Sequence, residues 1–231
     1  MRYVIATPAV RSLSISGHDD RFPVNRIFCV GRNYAAHARE MGSDPDREPP
    51  FFFMKPAMAA VDAAAPTSIP YPAMTANFHH EVELVVAISA GGVDITPEKA
   101  LDHVYGYAVG LDMTRRDLQF QARDKGRPWE FGKAFASSAP IGAIAPASER
   151  GHPARGAITL SVNGVARQSS DISKVIWSVA ECISVLSRYD ALAPGDLIMT
   201  GTPEGVGPVV AGDALFASID GLPSIEVRIH P

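Results

Sequence analysis

Residues 81–88 (EVELVVAI) constrain the fold of this chain more than any other segment. After the second glutamate the run is apolar without interruption and rich in β-branched side chains, which is typical of a strand buried on both faces of a sheet. Side chains alternate between the two faces of a strand, so Glu81 and Glu83 share one face with Val85 and Ala87. The segment therefore predicts a central strand that carries two carboxylates at its start.

These two carboxylates repel one another, and burying them unpaired costs free energy. A divalent cation would remove that cost, and oxygen ligands suit Mg²⁺, Mn²⁺ or Ca²⁺ better than zinc. The alternative is an exposed strand end where Glu81 and Glu83 pair with Arg or Lys. Asp112 ends a second apolar run, 104–112 (VYGYAVGLD), either as a third ligand or as a turn or cap residue. Three carboxylates, each at the end of a buried strand, favour the metal site.

Turn signals and apolar periodicity predict the other elements. Glycine and proline, 19 residues each, indicate many turns and a β-rich fold. Asn163-Gly164 between apolar flanks predicts a hairpin over 158–168. An apolar stripe at helical spacing over 175–186 predicts a helix that packs on the core. Short apolar segments cover 26–30 and 51–55, and further strands are expected over 104–112 and 197–200 and in two short segments near the C-terminus.

Capping patterns predict two more helices. Asn33 can cap a helix over 34–41, and Thr114 with Asp117 resembles a capping box that opens a helix over 115–123. The alanines and prolines of 61–72 indicate an irregular stretch. We interpret residues 1–231 as a single mixed α/β, β-rich domain, with 1–25 as an N-terminal strand and turn segment and 26–231 as the core.

Composition excludes several classes of protein. Hydrophobic residues make up 46% and charged residues 20%, which argues against disorder. The formal net charge of −4 argues against a nucleic-acid partner. No apolar run is long enough to cross a membrane, and the two cysteines, Cys29 and Cys182, have no CxxC spacing. We therefore expect a cytoplasmic protein with free thiols and with neither a nucleic-acid nor a membrane partner.

Further polar residues suggest catalysis, each with a plainer alternative. His37 and Glu40 lie at i and i+3 of the predicted helix, either as a general base with its orienting carboxylate or as a surface pair. Lys133, Arg32 and Arg115 either reach solvent or hold an anion in a pocket.

The glycine-rich segment TGTPEGVG (200–207) is either a plain turn or a loop whose backbone N–H groups approach a carboxylate or an oxyanion.

Taken together, six ordered motifs resemble the fumarylacetoacetate hydrolase family, most of all its small acylpyruvase and fumarylpyruvate hydrolase branch. The motifs are CVGRNYAAHAREMG (29–42), FFFMKP (51–56), HHEVELVVAI (79–88), GYAVGLDMTRRDLQ (106–119), GRPWEFGKAF (126–135) and LIMTGTPEGVGP (197–208). The resemblance implies a β-roll with flanking helices and a homodimer. It also implies Mg²⁺, with Mn²⁺ or Ca²⁺ as substitutes, held by Glu81, Glu83 and Asp112, and water activated by His37 with Glu40.

The same resemblance implies how the substrate is held. Lys133 would face the substrate oxygens, and Thr202 with the Gly201 amide would contact the substrate carboxylate. Gln119 and Arg115 would face the substrate, together with Arg32. The implied enzyme cleaves the C–C bond of a 2,4-diketo acid, fumarylpyruvate or another acylpyruvate, to a carboxylic acid and pyruvate.

Two alternatives remain open from the sequence. The same metal–enolate chemistry without attack by water gives an oxaloacetate-type decarboxylase or an enol–keto isomerase. A catalytically silent family member would instead serve as a binding or structural subunit.

Overall fold

The computed structural model describes residues 3–36 and 48–231, and over these residues the strands form four sheets of two, three, eight and five strands. The strands are β1 (Ser12–Ser14), β2 (Arg21–Pro23), β3 (Arg26–Gly31), β4 (Phe51–Pro56), β5 (Ala60–Asp62), β6 (Thr67–Pro70), β7 (Phe78–His80), β8 (Val82–Ile88), β9 (Val104–Leu111), β10 (Thr114–Arg115), β11 (Ala139–Ile141), β12 (Ala145–Pro146), β13 (Ala157–Val162), β14 (Val165–Asp171), β15 (Leu197–Met199), β16 (Gly207–Val209), β17 (Ala214–Ile219) and β18 (Ile225–His230). The α-helices are Pro97–Ala100, Arg116–Asp124, Glu130–Lys133, Ala147–Arg150 and Val179–Tyr189. Short 3₁₀ turns cover Ala57–Ala59, Leu101–His103 and Ile172–Lys174.

Strand β8 lies inside the eight-stranded sheet, between antiparallel neighbours β15 and β9. Every residue of β8 is buried. Val82, Leu84, Val86 and Ile88 pack into one apolar cluster with the five-stranded sheet and the helix Val179–Tyr189. Their neighbours on the other face, Val85 and Ala87, pack into a second cluster with β3 and β15. The predicted strand with two covered faces is confirmed.

The five-stranded sheet has the order β14-β13-β17-β18-β6. The predicted hairpin is confirmed, because β13 pairs antiparallel with β14 through Asn163 and Gly164. Both turn residues have positive φ, 52° and 77°, as a two-residue hairpin turn of type I′ requires. This hairpin places Gln168 of β14 next to Val82, at the start of β8.

The helix Val179–Tyr189 confirms the predicted apolar stripe but begins later than expected. Ser178 accepts a hydrogen bond from the Glu181 amide, and the Glu181 carboxylate accepts one from the Ser178 amide. This reciprocal capping box satisfies two amides at the helix start. Val175 and Ile176 therefore precede the helix rather than belong to it.

Three expectations differ from the structure or lie outside it. The stretch 61–72 is not irregular throughout, because it contains β5 and β6, which pair in parallel with β11 and β18 far along the chain. The predicted capping box at Thr114 does not form, since its hydroxyl donates to the Asp112 carbonyl and the helix begins at Arg116. The helix predicted over 34–41 falls largely outside the described residues.

The expected β-rich, mixed α/β fold with flanking helices is confirmed. Cys29 and Cys182 are both buried free thiols. Across residues 3–36 and 48–231, no helix has the length and apolar character needed to cross a membrane.

Ile158 tests the packing between β13 and the core. Its side chain is fully buried in the larger apolar cluster, so Ile158→Ala leaves a cavity and is expected to lower the free energy of unfolding by about 2–5 kcal/mol. Val165→Ala, at an exposed position of the paired strand, should change it by less than about 1 kcal/mol. Urea denaturation of both variants makes the comparison, and equal losses would contradict this packing.

Asp62 links β5 to the β1–β2 hairpin and gives a pH-dependent test. Burial raises the pKa of Asp62, but hydrogen bonds from Arg21 and Ser14 outweigh it and lower the pKa overall. The contact therefore stabilises the fold above the unfolded pKa of about 3.9 and is lost as the pH falls through the lower folded value. Asp62→Asn should be less stable than wild type at pH 6, and the difference should shrink toward pH 2. Asp19→Asn, in the exposed turn between β1 and β2, is the control; a pH-independent difference for Asp62→Asn would contradict the linkage.

Candidate active site

Glu81, Glu83 and Asp112 meet because β8 and β9 run antiparallel. Glu83 pairs with Gly110, and the Asp112 amide donates to the Glu81 carbonyl at 2.8 Å. The start of β8 and the end of β9 therefore lie at the same edge of the sheet. All three side chains are buried, and an oxygen of each lies within 4.8 Å of one from each of the others. The predicted cluster of three carboxylates is formed.

Three buried cations surround the three carboxylates. Lys133 Nζ lies 2.8 Å from Glu81 Oε2 and 2.7 Å from Asp112 Oδ2. Arg116 Nη2 lies 2.5 Å from Glu81 Oε1, and Lys55 Nζ lies 2.8 Å from Asp112 Oδ1. Lys133 and Arg116 are 2% exposed and Lys55 is fully buried. Buried charges are tolerated when they are paired, so this arrangement explains how three acids can share one site.

Lys55 has no proton left for Asp112 Oδ1, the carboxylate oxygen beside it. Its ammonium donates to the Met113 carbonyl, the Lys133 carbonyl and the Ser138 hydroxyl, which accounts for its three protons. Asp112 Oδ1 is close to this ammonium but off the direction of a hydrogen bond. Within the described residues it is a buried oxygen that accepts no hydrogen bond. Its lone pairs are available to a cation.

Glu83 is held by the backbone of the loop that follows β15. The Gly201 amide donates to Glu83 Oε2 at 2.7 Å. Gly201 has φ +98°, and a Cβ there would lie 2.7 Å from the Cβ of Asn33, so the close approach of the two segments requires glycine. The family resemblance predicts this amide as a substrate contact. In the structure it donates to Glu83 and so orients a candidate metal ligand.

The charges in the cluster shift the proton equilibria of its members. Burial, reinforced by Asp112 and Glu81, raises the pKa of Glu83 well above its usual value. Burial lowers the pKa of Lys133, but the carboxylates of Asp112 and Glu81 outweigh it and raise that pKa overall. The neighbouring carboxylates act on both groups in the same direction, because negative potential raises the pKa of a carboxyl group and of an ammonium alike. Three hard oxygen donors, one of them without a hydrogen bond, fit a divalent cation such as Mg²⁺, Mn²⁺ or Ca²⁺.

Arg116 is fixed on three sides at the first turn of its helix. Nη2 bonds Glu81, Nη1 donates to Gln119 Oε1 and Nε donates to His79 Nδ1 at 3.3 Å. Burial, followed by the charge of Arg116, lowers the pKa of His79 to about 4, so its imidazole is neutral at pH 7. Its Nδ1 can then accept from Arg116 while Nε2 donates to Asn77. The guanidinium is thus held rigidly beside the acid cluster.

Lys133 reaches the cluster from the last position of its short helix. The residue before it, Gly132, lies against the preceding helix, Arg116–Asp124, where a Cβ would be 2.9 Å from the backbone nitrogen of Gln119. A side chain at 132 would push the two helices apart and withdraw the ammonium. The alternative of a lysine that reaches solvent is wrong, since Lys133 is buried.

A small cleft opens beside the cluster. It is lined by Val30, Gly31, Arg32, Phe51, Phe53, Glu81, Glu83, Asp112, Arg116, Gln119, Phe120, Arg123, Trp129, Lys133 and Thr202. Aromatic rings and guanidinium groups form its walls, and the acids and Lys133 form one side of it. Such a cleft suits a small anionic ligand.

The structure separates the predicted substrate contacts into two groups. Arg32, Gln119 and Thr202 line the cleft with the acid cluster. Arg115 does not; its guanidinium stacks on Phe135 at 4.3 Å and faces a different surface cavity. The helix begins at Arg116, and it is Arg116, rather than Arg115, that is turned toward the acid cluster. His37 and Glu40 lie outside the described residues.

Sequence reasoning missed Lys55 and Arg116 as members of the site. Lys55 had a signal, being the one charge in the apolar motif FFFMKP (51–56). Arg116 had a weaker one, since the Arg115-Arg116 pair gives no indication of which residue faces inward.

The family follows from comparison with known sequences. The model of the fumarylacetoacetate (FAA) hydrolase C-terminal domain matches residues 26–230. The chain belongs to the fumarylacetoacetate hydrolase family. A fumarylpyruvate hydrolase of Ralstonia sp is 46% identical over 193 residues, which cover 83% of this chain and 99% of that protein. The oxaloacetate tautomerase YcgM of Escherichia coli K12 is 41% identical over 201 residues, covering 87% and 90%.

A solved structure of the family agrees in fold. The fumarylpyruvate hydrolase of Pseudomonas aeruginosa, in complex with Mn²⁺ and pyruvate, superposes with a TM-score of 0.97 at 58% identity over 99% of both chains. The predicted family fold is therefore confirmed.

Asp112 gives a direct test of the acid cluster. Asp112→Asn keeps the side-chain shape but removes one of three negative charges, so the Kd for Mn²⁺ is expected to rise at least about tenfold. Asp102→Asn removes the same charge at an exposed position and should leave the Kd unchanged. Calorimetric titration with Mn²⁺ measures both. Unaltered affinity in Asp112→Asn would exclude the cluster as the metal site.

Proposed function

We propose that this protein is a divalent-metal-dependent hydrolase that cleaves the C–C bond of a 2,4-diketo acid, with fumarylpyruvate as the first candidate substrate. The observation that carries the proposal is the buried cluster of three carboxylates and three cations beside the cleft. The similarity to fumarylpyruvate hydrolases supports an acylpyruvate substrate.

Glu81, Glu83 and Asp112 would hold the metal. When bound, a divalent cation acts as a Lewis acid that polarises substrate oxygens and stabilises enolate charge. Gly201 keeps Glu83 in place through its amide, and Arg116 and Lys133 hold Glu81. The ligands are thus positioned before substrate arrives.

Residues of the cleft would then bind and orient the diketo acid. Thr202, Arg32 and Gln119 offer hydrogen bonds to its carboxylate and oxo groups. Lys133 has three protons, of which two are directed at Glu81 and Asp112, so one remains for a substrate oxygen. That proton is the candidate donor to the oxyanion formed at the distal carbonyl.

In the proposed reaction His37, oriented by Glu40, takes a proton from a water molecule that attacks carbon 4 of the substrate. The bond between carbons 3 and 4 breaks, the acyl group leaves as a carboxylic acid and carbon 3 takes up a proton to give pyruvate. Fumarylpyruvate would yield fumarate and pyruvate. The homodimer and the cytoplasmic location predicted from the sequence stay predictions.

A second function, enol–keto isomerisation of oxaloacetate, is favoured by the similarity to oxaloacetate tautomerases. It would use the same carboxylates and cations but needs no attack by water. The two functions are therefore separated by their products and by their dependence on His37. A decarboxylase would be recognised by carbon dioxide released from oxaloacetate, and a silent family member by the absence of any turnover.

The deciding assay follows the ultraviolet absorbance of the enol forms of fumarylpyruvate, acetylpyruvate and oxaloacetate, with Mg²⁺, Mn²⁺ or a chelator, and identifies the products. We expect metal-dependent loss of the fumarylpyruvate signal with release of pyruvate. His37→Gln should lower kcat by about a hundredfold or more, the usual contribution of a general base. His103→Gln, whose imidazole bonds the Ala90 carbonyl far from the cleft, is the matched control.

Failure to release pyruvate from either acylpyruvate, with rapid ketonisation of oxaloacetate, would replace the hydrolase with the isomerase.

A further inference from the structure

Gln168 is a buried glutamine of β14 that connects the two large sheets. It has no exposed surface, although its neighbours on β14, Arg167 and Ser169, are exposed. Its amide makes four hydrogen bonds, all of them outside its own sheet. Oε1 accepts from the Val82 amide at 3.0 Å and from His80 Nδ1 at 3.1 Å. Nε2 donates to the Pro203 carbonyl at 2.8 Å and to Thr202 Oγ1 at 2.9 Å.

The orientation of this amide is fixed by two backbone partners. A backbone N–H can only donate, so the atom facing Val82 must be the oxygen. A backbone carbonyl can only accept, so the atom facing Pro203 must be the nitrogen. Turning the amide over would lose both bonds and bury two unsatisfied groups. The hydrogen-bond polarity of Gln168 therefore follows from the path of the main chain.

The fixed amide determines what the Thr202 hydroxyl can do. One Nε2 proton serves Pro203, and the other points at Thr202 Oγ1, so this oxygen accepts. Its own proton is then left for a different acceptor. No such acceptor is found for it among residues 3–36 and 48–231, and Thr202 lines the cleft beside the acid cluster. The hydroxyl is thus set to donate to a ligand in the cleft.

The loop that carries Thr202 has little freedom to turn away. Gly205 packs directly on β14, where a Cβ would lie 2.2 Å from the Arg167 carbonyl oxygen. Beyond it, Gly207 of β16 pairs with His80 of β7. Val82, whose amide donates to Gln168, lies between Glu81 and Glu83 in the sequence. One side chain therefore ties the Thr202 loop to the segment that carries two of the acids.

We propose that Gln168 is a positioning residue that directs the Thr202 hydroxyl into the cleft as a hydrogen-bond donor to the carboxylate of the substrate. This inference rests on the proposed function and extends it, because it makes the site selective for an anionic acceptor at Thr202. A donor–carboxylate hydrogen bond in a buried site contributes substantially to affinity.

The test measures the Kd of pyruvate by calorimetry at saturating Mn²⁺, with the Mn²⁺ affinity of each variant determined first. Thr202→Val should raise the pyruvate Kd about tenfold to hundredfold, the loss expected for a hydrogen bond to a charged group. Thr202→Ser, which retains a hydroxyl, should restore most of the affinity. Gln168→Met should also raise the pyruvate Kd. Gln121→Met, at an exposed helical position, should leave it unchanged.

The double variant separates positioning from general damage. If Gln168 acts through Thr202, Gln168→Met combined with Thr202→Val should bind pyruvate no more weakly than Thr202→Val alone, within about threefold. Multiplicative losses, or an unchanged Kd in Gln168→Met, would overturn the proposal. Gln168→Glu is the second variant should Gln168→Met unfold, because its carboxylate keeps the acceptor for the Val82 amide. The glutamate carboxylate offers Thr202 an acceptor instead of a donor. The change that Gln168→Glu causes in the pyruvate Kd should likewise disappear when Thr202→Val is also present.

A neutron structure of the wild-type protein in D₂O tests the hydrogen positions that the inference requires, without any substrate. A deuteron on Thr202 Oγ1 pointing away from Gln168, with two deuterons on Gln168 Nε2, supports it. A deuteron bonded to Thr202 Oγ1 and directed at the Gln168 amide overturns it. Lack of metal-dependent pyruvate binding by the wild type would instead count against the proposed function, so the two failures are distinguishable.

Discussion

Three carboxylates buried at one edge of a sheet are the constraint on which the rest of the site depends. Each must be met by positive charge or by donors, because an unpaired buried carboxylate is far costlier than an exposed one. The fold supplies Lys55 from β4, Arg116 from the start of one helix and Lys133 from the end of another. Elements distant in sequence are thus required to converge on one edge of β8 and β9. Replacing the whole cluster by apolar side chains is often no less stable than keeping an ion network. We therefore attribute its presence to function rather than to stability.

The same constraint explains why glycines occur where they do. Gly201 allows its backbone to approach Asn33 and to serve Glu83, and Gly132 allows two short helices to pack closely enough for Lys133 to reach the acids. In both cases the missing side chain brings a polar group of the site within hydrogen-bond distance. The backbone itself is therefore part of the site.

Local patterns predicted the centre of this structure well and its surroundings poorly. The run 81–88 and the aspartate at 112 indicated two buried strands ending in carboxylates, and antiparallel pairing of β8 with β9 was enough to bring them together. Arg116 and Lys55 were missed because their partners are set by the meeting of distant elements, which no short window of sequence contains. β5 and β6 were missed for the same reason, since each pairs with a strand far along the chain. The family resemblance indicated Arg115 as a substrate contact, but the helix begins at Arg116, and Arg116 is the residue that bonds Glu81.

The position of Gln168 between two sheets has a consequence for motion. Its bond to the Val82 amide crosses from the five-stranded sheet to the eight-stranded one, so that amide is shielded by a side chain of another structural layer. Partial detachment of the β13–β14 hairpin, with the rest of the protein folded, would expose the Val82 amide and disturb the acid cluster in a single step. Hydrogen exchange at this one backbone position therefore reports how often the two layers separate, and with it how much of the time the site is assembled.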